Sequence, residues 1–228
     1  MSNYEINLSR GLEGKKDTHH VGLIIKRIEP TSEQKHTGFV FVDDITNEPM
    51  TAHLAWKNYY LYEKNRLDSY AVLWLDFIDD INTIAMTTEL RMIHLKSSNK
   101  MPYSIVNSGS VSFQNGNVIT DPSVKGDGLT CATFVLCFLE QQGFQIIDRD
   151  TWIVTEEDSQ WQADIVEMLK ERLTPEYYAE QKESIGKVIR IRPEQIVGAC
   201  GIFDYSPIEY KEACEVGIVV LEELDKLA

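Results

Sequence analysis

The sequence predicts an α+β fold in which a central helix packs on an antiparallel sheet. Three observations carry this. Segments rich in β-branched and aromatic residues crowd the first third of the 228 residues, an Asn-Gly pair marks a hairpin near the middle, and one later helix is apolar on nearly every side. No Pro/Gly/Ser-rich linker or charge break divides the chain, so residues 1–228 read as one domain with one core.

"HVGLIIKRI" (20–28), "TGFVFVDDI" (37–45) and "SYAVLWLDFI" (69–78) are bounded by turn formers and read as strands. Between the last two, "AHLAWKNYYLYEKN" is ambiguous, because Trp56, Tyr59 and Tyr60 have helical spacing while the stretch around His53 can be extended. In "DINTIAMTTELRMIHL" (80–95), Ile81, Ile84, Ala85, Thr88, Met92 and Leu95 fall on one helical face, with Asp80 as N-cap. "SVSFQNGNVIT" (110–120) is a hairpin around its Asn-Gly turn. A helix from about Leu129 to Gln142 ends at Gly143, the expected C′ residue, and "FQIID" after it can form a strand. Residues 159–173 are an amphipathic helix, "GKVIRIRPEQIVGA" (186–199) a strand and its exit, and 206–227 a terminal helix weakened by Gly217.

Composition excludes several classes. The formal charge of −14 opposes phosphate backbones, and no basic stripe with interleaved aromatics offsets it, so nucleic acid is not an expected partner. No apolar run nears the ~20 residues of a membrane span. The polar start lacks the apolar stretch of a secretory signal, which implies a cytoplasmic location. Four cysteines (Cys131, Cys137, Cys200, Cys214) without a Cys-x-x-Cys pair suggest reduced thiols, with neither a disulfide framework nor a zinc site. The acidic pairs look like helix starts rather than metal ligands, and "GLEGKK" lacks the spacing of a phosphate loop, so no cofactor is implied.

Cys131 stands out. In "GDGLTCATFVLCFLEQQGF" (126–144) it lies in the first turn of the apolar helix, behind an accessible Gly-Asp-Gly loop. Unpaired N–H groups and the positive helix end favour a thiolate there, and the same groups can stabilise an oxyanion. A nucleophilic thiol needs a base. His94 reads as a surface residue, and His36 as part of a polar loop before a strand. His20 opens the strand "HVGLII", where a ring can be held rigidly, and His53 in "PMTAHLAW" is flanked by apolar residues, so its ring needs a hydrogen-bond partner. His53 can equally be a satisfied core histidine, whereas the helix-start position of Cys131 weighs against an inert core thiol; the other three cysteines read as packing.

"HHVGLII" followed by "PMTAHLAW" resembles the paired histidine motif of NlpC-type cysteine peptidases, which have a papain-like fold. Here the cysteine helix follows the histidine strands. That order is similar to the circularly permuted papain-like group, and "NKMPYSI" before "GLTCATFV" fits its PY-like element. The resemblance covers residues 18–145, leaving 146–228 as a C-terminal extension. It implies Cys131 as nucleophile, His20 as general base and His53 as the residue orienting it. The longer gap between the two histidines leaves Asp43 or Asp44 as alternative orienting groups, and alternation allows only one of His19 and His20 to face the thiol.

Tyr103, Trp56 and Asp127 are candidate substrate contacts, with Tyr59 and Tyr60 possible additions to an aromatic wall, and the 110–120 hairpin is a candidate lid. The expected chemistry is thiol hydrolysis or acyl transfer at an amide, isopeptide or ester of a peptide, lipid ester or protein conjugate. The alternative is a non-enzymatic acidic binding module, an inhibitor or immunity-type protein that meets a basic protein partner.

Overall fold

In the computed structural model, which describes residues 4–13, 21–29, 34–64 and 67–227, alternating side chains build one six-stranded sheet. Its strands are β1 (Ser9–Arg10), β2 (Val21–Arg27), β3 (Lys35–Val42), β4 (Pro49–Trp56), β5 (Tyr59–Lys64) and β6 (Ala71–Trp74). They lie in the order β1-β6-β2-β3-β4-β5, every neighbour antiparallel. A separate hairpin joins β7 (Ser112–Gln114) and β8 (Asn117–Ile119), with Asn115 and Gly116 both at positive φ as the Asn-Gly turn requires. The helices are α1 (Asp80–Ser97), α2 (Cys131–Gln141), α3 (Glu156–Leu169), α4 (Pro175–Ser184), α5 (Pro193–Ile202) and α6 (Tyr210–Lys226). The result is a mixed α/β fold.

α2 is the centre of the core. Thr130 caps it and exchanges bonds with Thr133 in a capping box, and Gly143 at φ 91° follows its end. All residues from Cys131 to Leu139 are buried. Val21, Leu23 and Ile25 of β2, Phe39 and Phe41 of β3, and Ala52 and Leu54 of β4 belong to the same core. The Phe39 ring meets Phe134 and Phe138 edge-on at 5.9 and 5.1 Å. Residues on the other side of the strands (Ile24, Val40, Val72) form a smaller cluster under Leu67 and Tyr70. α5 backs onto α2 and the sheet, and α6 covers α5, where a Cβ at Gly198 would come within 2.7 Å of Val216.

Four sequence readings change. Residues 52–64 of the ambiguous segment belong to the β4–β5 hairpin, which turns through Asn58 at φ 57°. α1 is helical as expected, but Asp79, not Asp80, accepts the capping bond from the Asn82 N–H at 2.8 Å. Its buried face is Thr83, Met86, Thr87, Leu90 and Ile93, while Ile81 and Leu95 are 80% and 68% exposed. Two apolar stripes compete on this helix, and packing on β5 and β8 selects the one that periodicity did not. Residues 186–199 form no strand: their first part pairs with no strand, and Pro193 starts α5 at the helical position proline favours. "FQIID" contributes only one bridge, Ile147 to Ile208. Among the described residues no helix is long and apolar enough to cross a membrane.

Because α1 buries Leu90 completely and leaves Ile81 in solvent, Leu90→Ala should cost about 2–5 kcal/mol in urea denaturation. Ile81→Ala should stay within about 0.5 kcal/mol of the parent.

Candidate active site

With Thr130 as the N-cap, Cys131 becomes the first helical residue of α2. Its side chain meets a cavity of about 280 Å³, together with His36, His53, Trp56, Tyr103 and Arg190. Burial pushes the thiol pKa up, against the backbone N–H groups of Thr37, Ala132 and Cys131 itself, which favour the thiolate.

The cavity opens where two strands part. Paired residues of β3 and β4 run from Phe39 opposite Ala52 to Val42 opposite Pro49, and β4 carries an irregularity between Leu54 and Trp56. The stretches 35–38 and 53–56 therefore lie beyond the ladder. Thr37, Phe39 and Phe41 take the α2 side of β3, so alternation directs His36 to the opposite face, and His53 leaves β4 on that same face. Among the described residues no hydrogen bond joins either imidazole to the Cys131 sulfur.

The imidazoles bond to each other. His36 Nε2 lies 2.8 Å from His53 Nδ1, and His53 Nε2 lies 3.7 Å from a Glu63 carboxylate oxygen. Gly38 makes room for this arrangement, since a Cβ there would sit 2.4 Å from that of His53. Burial lowers the pKa of His36 to about 3, aided by the charges of His53 and Lys26. It lowers that of His53 to about 4, with Glu63 opposing and Lys26 adding to the shift. Both rings are neutral at pH 7. At 3.7 Å from His53 Nε2, beyond hydrogen-bond distance, the Glu63 carboxylate favours the tautomer with a proton on that nitrogen; in that tautomer Nδ1 accepts from His36 Nε2–H and His36 Nδ1 carries a lone pair.

Of the residues predicted from sequence, the structure brings Cys131, His53, Trp56 and Tyr103 to one cavity. His20 and His19 lie outside the described residues. Asp127 does not line the cavity; its carboxylate accepts from Ser108 N–H and Oγ–H at 2.8 and 2.9 Å and from Ser110 Oγ–H at 2.5 Å, bracing the loop instead. Asp43 is also committed elsewhere. Burial would raise its pKa, but the Tyr62 hydroxyl and the N–H groups of Thr46 and Ile45 bring it down to about 2, and Arg91 pairs with both Asp43 and Asp44. Tyr60 is in the core and Tyr59 in solvent, so neither joins Trp56 at the cavity.

No residue of 110–120 lines the cavity either. The expected lid is pinned to α1, where Gly116 N–H donates to Glu89 and Ser97 Oγ–H donates to the Gly116 carbonyl. Sequence reading passed over His36, which lies inside β3 rather than in a polar loop. Its signal was present, since His36-Thr37-Gly38 repeats the spacing of His20-Val21-Gly22. Glu63, Trp161 and Arg190 had no comparable local signal.

Compared with known proteins, the chain matches no family model, no curated protein and no solved structure.

The two depressed imidazoles make stability depend on pH. Below about 6.5 the unfolded chain takes up protons that the folded chain refuses, so this stabilisation is complete above pH 6.5 and falls as pH drops toward 4. Each histidine contributes a slope of up to about 1.4 kcal/mol per pH unit. Guanidinium midpoints measured between pH 7.5 and 4.5 should show it, and His36→Gln should flatten the curve by roughly one proton.

Proposed function

We propose that the protein is a thiol hydrolase or acyltransferase in which Cys131 is the nucleophile, His36 the general base and His53 the residue that orients His36. One observation carries this reading: the same cavity holds a thiol at a helix N-terminus and a hydrogen-bonded imidazole pair backed by a carboxylate. His36 takes the role that sequence resemblance assigned to His20. The order of the parts, imidazole strands before cysteine helix, is that of the permuted papain-like group and supports that architecture. Four unpaired cysteines suit a reducing, cytoplasmic setting.

At rest the thiol and both imidazoles are neutral, so proton transfer accompanies attack. The thiol proton passes through the opening at the end of the β3–β4 ladder to His36 Nδ1, which enters the shared cavity from the other face, as sulfur bonds to the carbonyl carbon of an amide or ester. The carbonyl π pair moves onto oxygen, where N–H groups at the start of α2 stabilise it. Collapse re-forms the carbonyl and expels the amine or alkoxide, which takes the proton back from His36. Water or another acceptor then attacks the thioester by the reverse route and frees the thiol. His53, with its Nε2–H toward Glu63, supports the transient imidazolium.

A second reading is a non-enzymatic acidic binding module. The raised thiol pKa and the missing sulfur–imidazole bond favour it. Acyl transfer separates the two. Incubation with a 4-nitrophenyl ester, acid quench and peptide mass spectrometry should locate one acyl group on Cys131. His36→Ala should slow nitrophenol release by about 10²–10⁴-fold. Acylation spread over surface nucleophiles, or unchanged in Cys131→Ala, would favour the binding module.

A further inference from the structure

The cavity wall beside Cys131 carries a half-compensated cation. Arg190, its guanidinium among the described residues, has a side chain only 11% exposed and stacks 3.9 Å from the centre of the Trp161 ring. It reaches Asp158 at only 3.5 Å, because Arg192 takes the same carboxylate oxygen at 2.9 Å and also pairs with Glu157. Arg190 Nε and Trp161 Nε1 are closed off from solvent without a hydrogen-bond partner, so neither faces the cavity; the guanidinium meets it through its terminal nitrogens, which among the described residues make only the long contact to Asp158.

Charge points the same way. The chain has 36 Asp and Glu against 22 Lys and Arg, yet among the described residues no carboxylate lines this cavity, while Arg190 does; Lys26 and Lys35 also line it, each engaged with partners of its own. The rest of the wall is largely aromatic or aliphatic, with Trp56, Tyr70, Ile165 and Met168. Its volume is at the small end of ligand pockets.

We propose that the cavity binds a small carboxylate with an apolar tail. The anion pairs with the terminal nitrogens of the Arg190 guanidinium where it stacks on Trp161, and the tail lies against Trp56 and Met168. The terminal fork of the guanidinium matches the two oxygens of a carboxylate, and a guanidinium already partly compensated by Asp158 suits one negative charge better than the near-double charge of a phosphate monoester. This deepens the proposed function and rests on it for one point: a substrate of Cys131 carries a free carboxylate near its scissile carbonyl.

The test uses the Cys131→Ala protein, so that no thiol chemistry intervenes. Tryptophan fluorescence is titrated with 4-phenylbutyrate, its neutral analogue 4-phenylbutyramide, and 4-phenylbutyl phosphate. The carboxylate should bind saturably, with the amide at least about tenfold weaker and the phosphate no tighter than the carboxylate. Arg190→Gln should lower carboxylate affinity to that of the amide and leave amide binding unchanged. Equal affinity for carboxylate and amide, or no binding of either, overturns the proposal without any Arg190 variant. Phosphate binding tighter by tenfold or more overturns the carboxylate assignment. None of these readouts uses acylation, so failure here leaves the acyl-transfer experiment to judge Cys131 separately.

Discussion

Phe134 and Phe138, about one turn apart on α2, close over Phe39 of β3, and this aromatic contact fixes where the helix begins relative to the sheet. A helix buried along nearly its whole length has little freedom to slide or rotate, because a close-packed interior resists changes of even one methylene. The capping box at Thr130 and Thr133 then makes Cys131 the first residue of the helix. The sulfur is thus delivered to the margin of the β3–β4 ladder by core packing some distance from it.

That margin is where ordinary sheet rules relax. Once β3 and β4 stop pairing, backbone and side-chain polar groups face a cavity instead of a neighbouring strand. Near this margin Thr37 Oγ1 and His53 Nε2 are buried without a hydrogen-bond partner, which proteins seldom allow. The burial that forms the cavity also keeps the imidazoles neutral and the thiol protonated, so the chemistry of the site and its electrostatics have one cause.

Much of the fold was legible in local pattern. β2, β3 and β6, the Asn-Gly hairpin and the span of α2 follow from runs of β-branched residues, turn chemistry and glycine placement. Those signals act within a few residues. The errors arose where a choice depended on distant partners. α1 carries two apolar stripes, and only contact with β5 and β8 decides between them. "VIRI" has strand composition, but no strand lies beside it. Asp127 looked available in a glycine-rich loop, yet Ser108 and Ser110 already occupy its carboxylate.

By itself, the sequence determined that a thiol stands at the head of a buried helix and that strands precede that helix in the chain, since helix starts and strand composition are written locally. Which imidazoles share its cavity was decided only by tertiary structure. The pairing of His36 with His53 depends on strand register and on the missing side chain of Gly38, and Arg190 joins them from the C-terminal third. Register and the approach of distant segments are set by how the whole core packs, so no short stretch of residues encodes them.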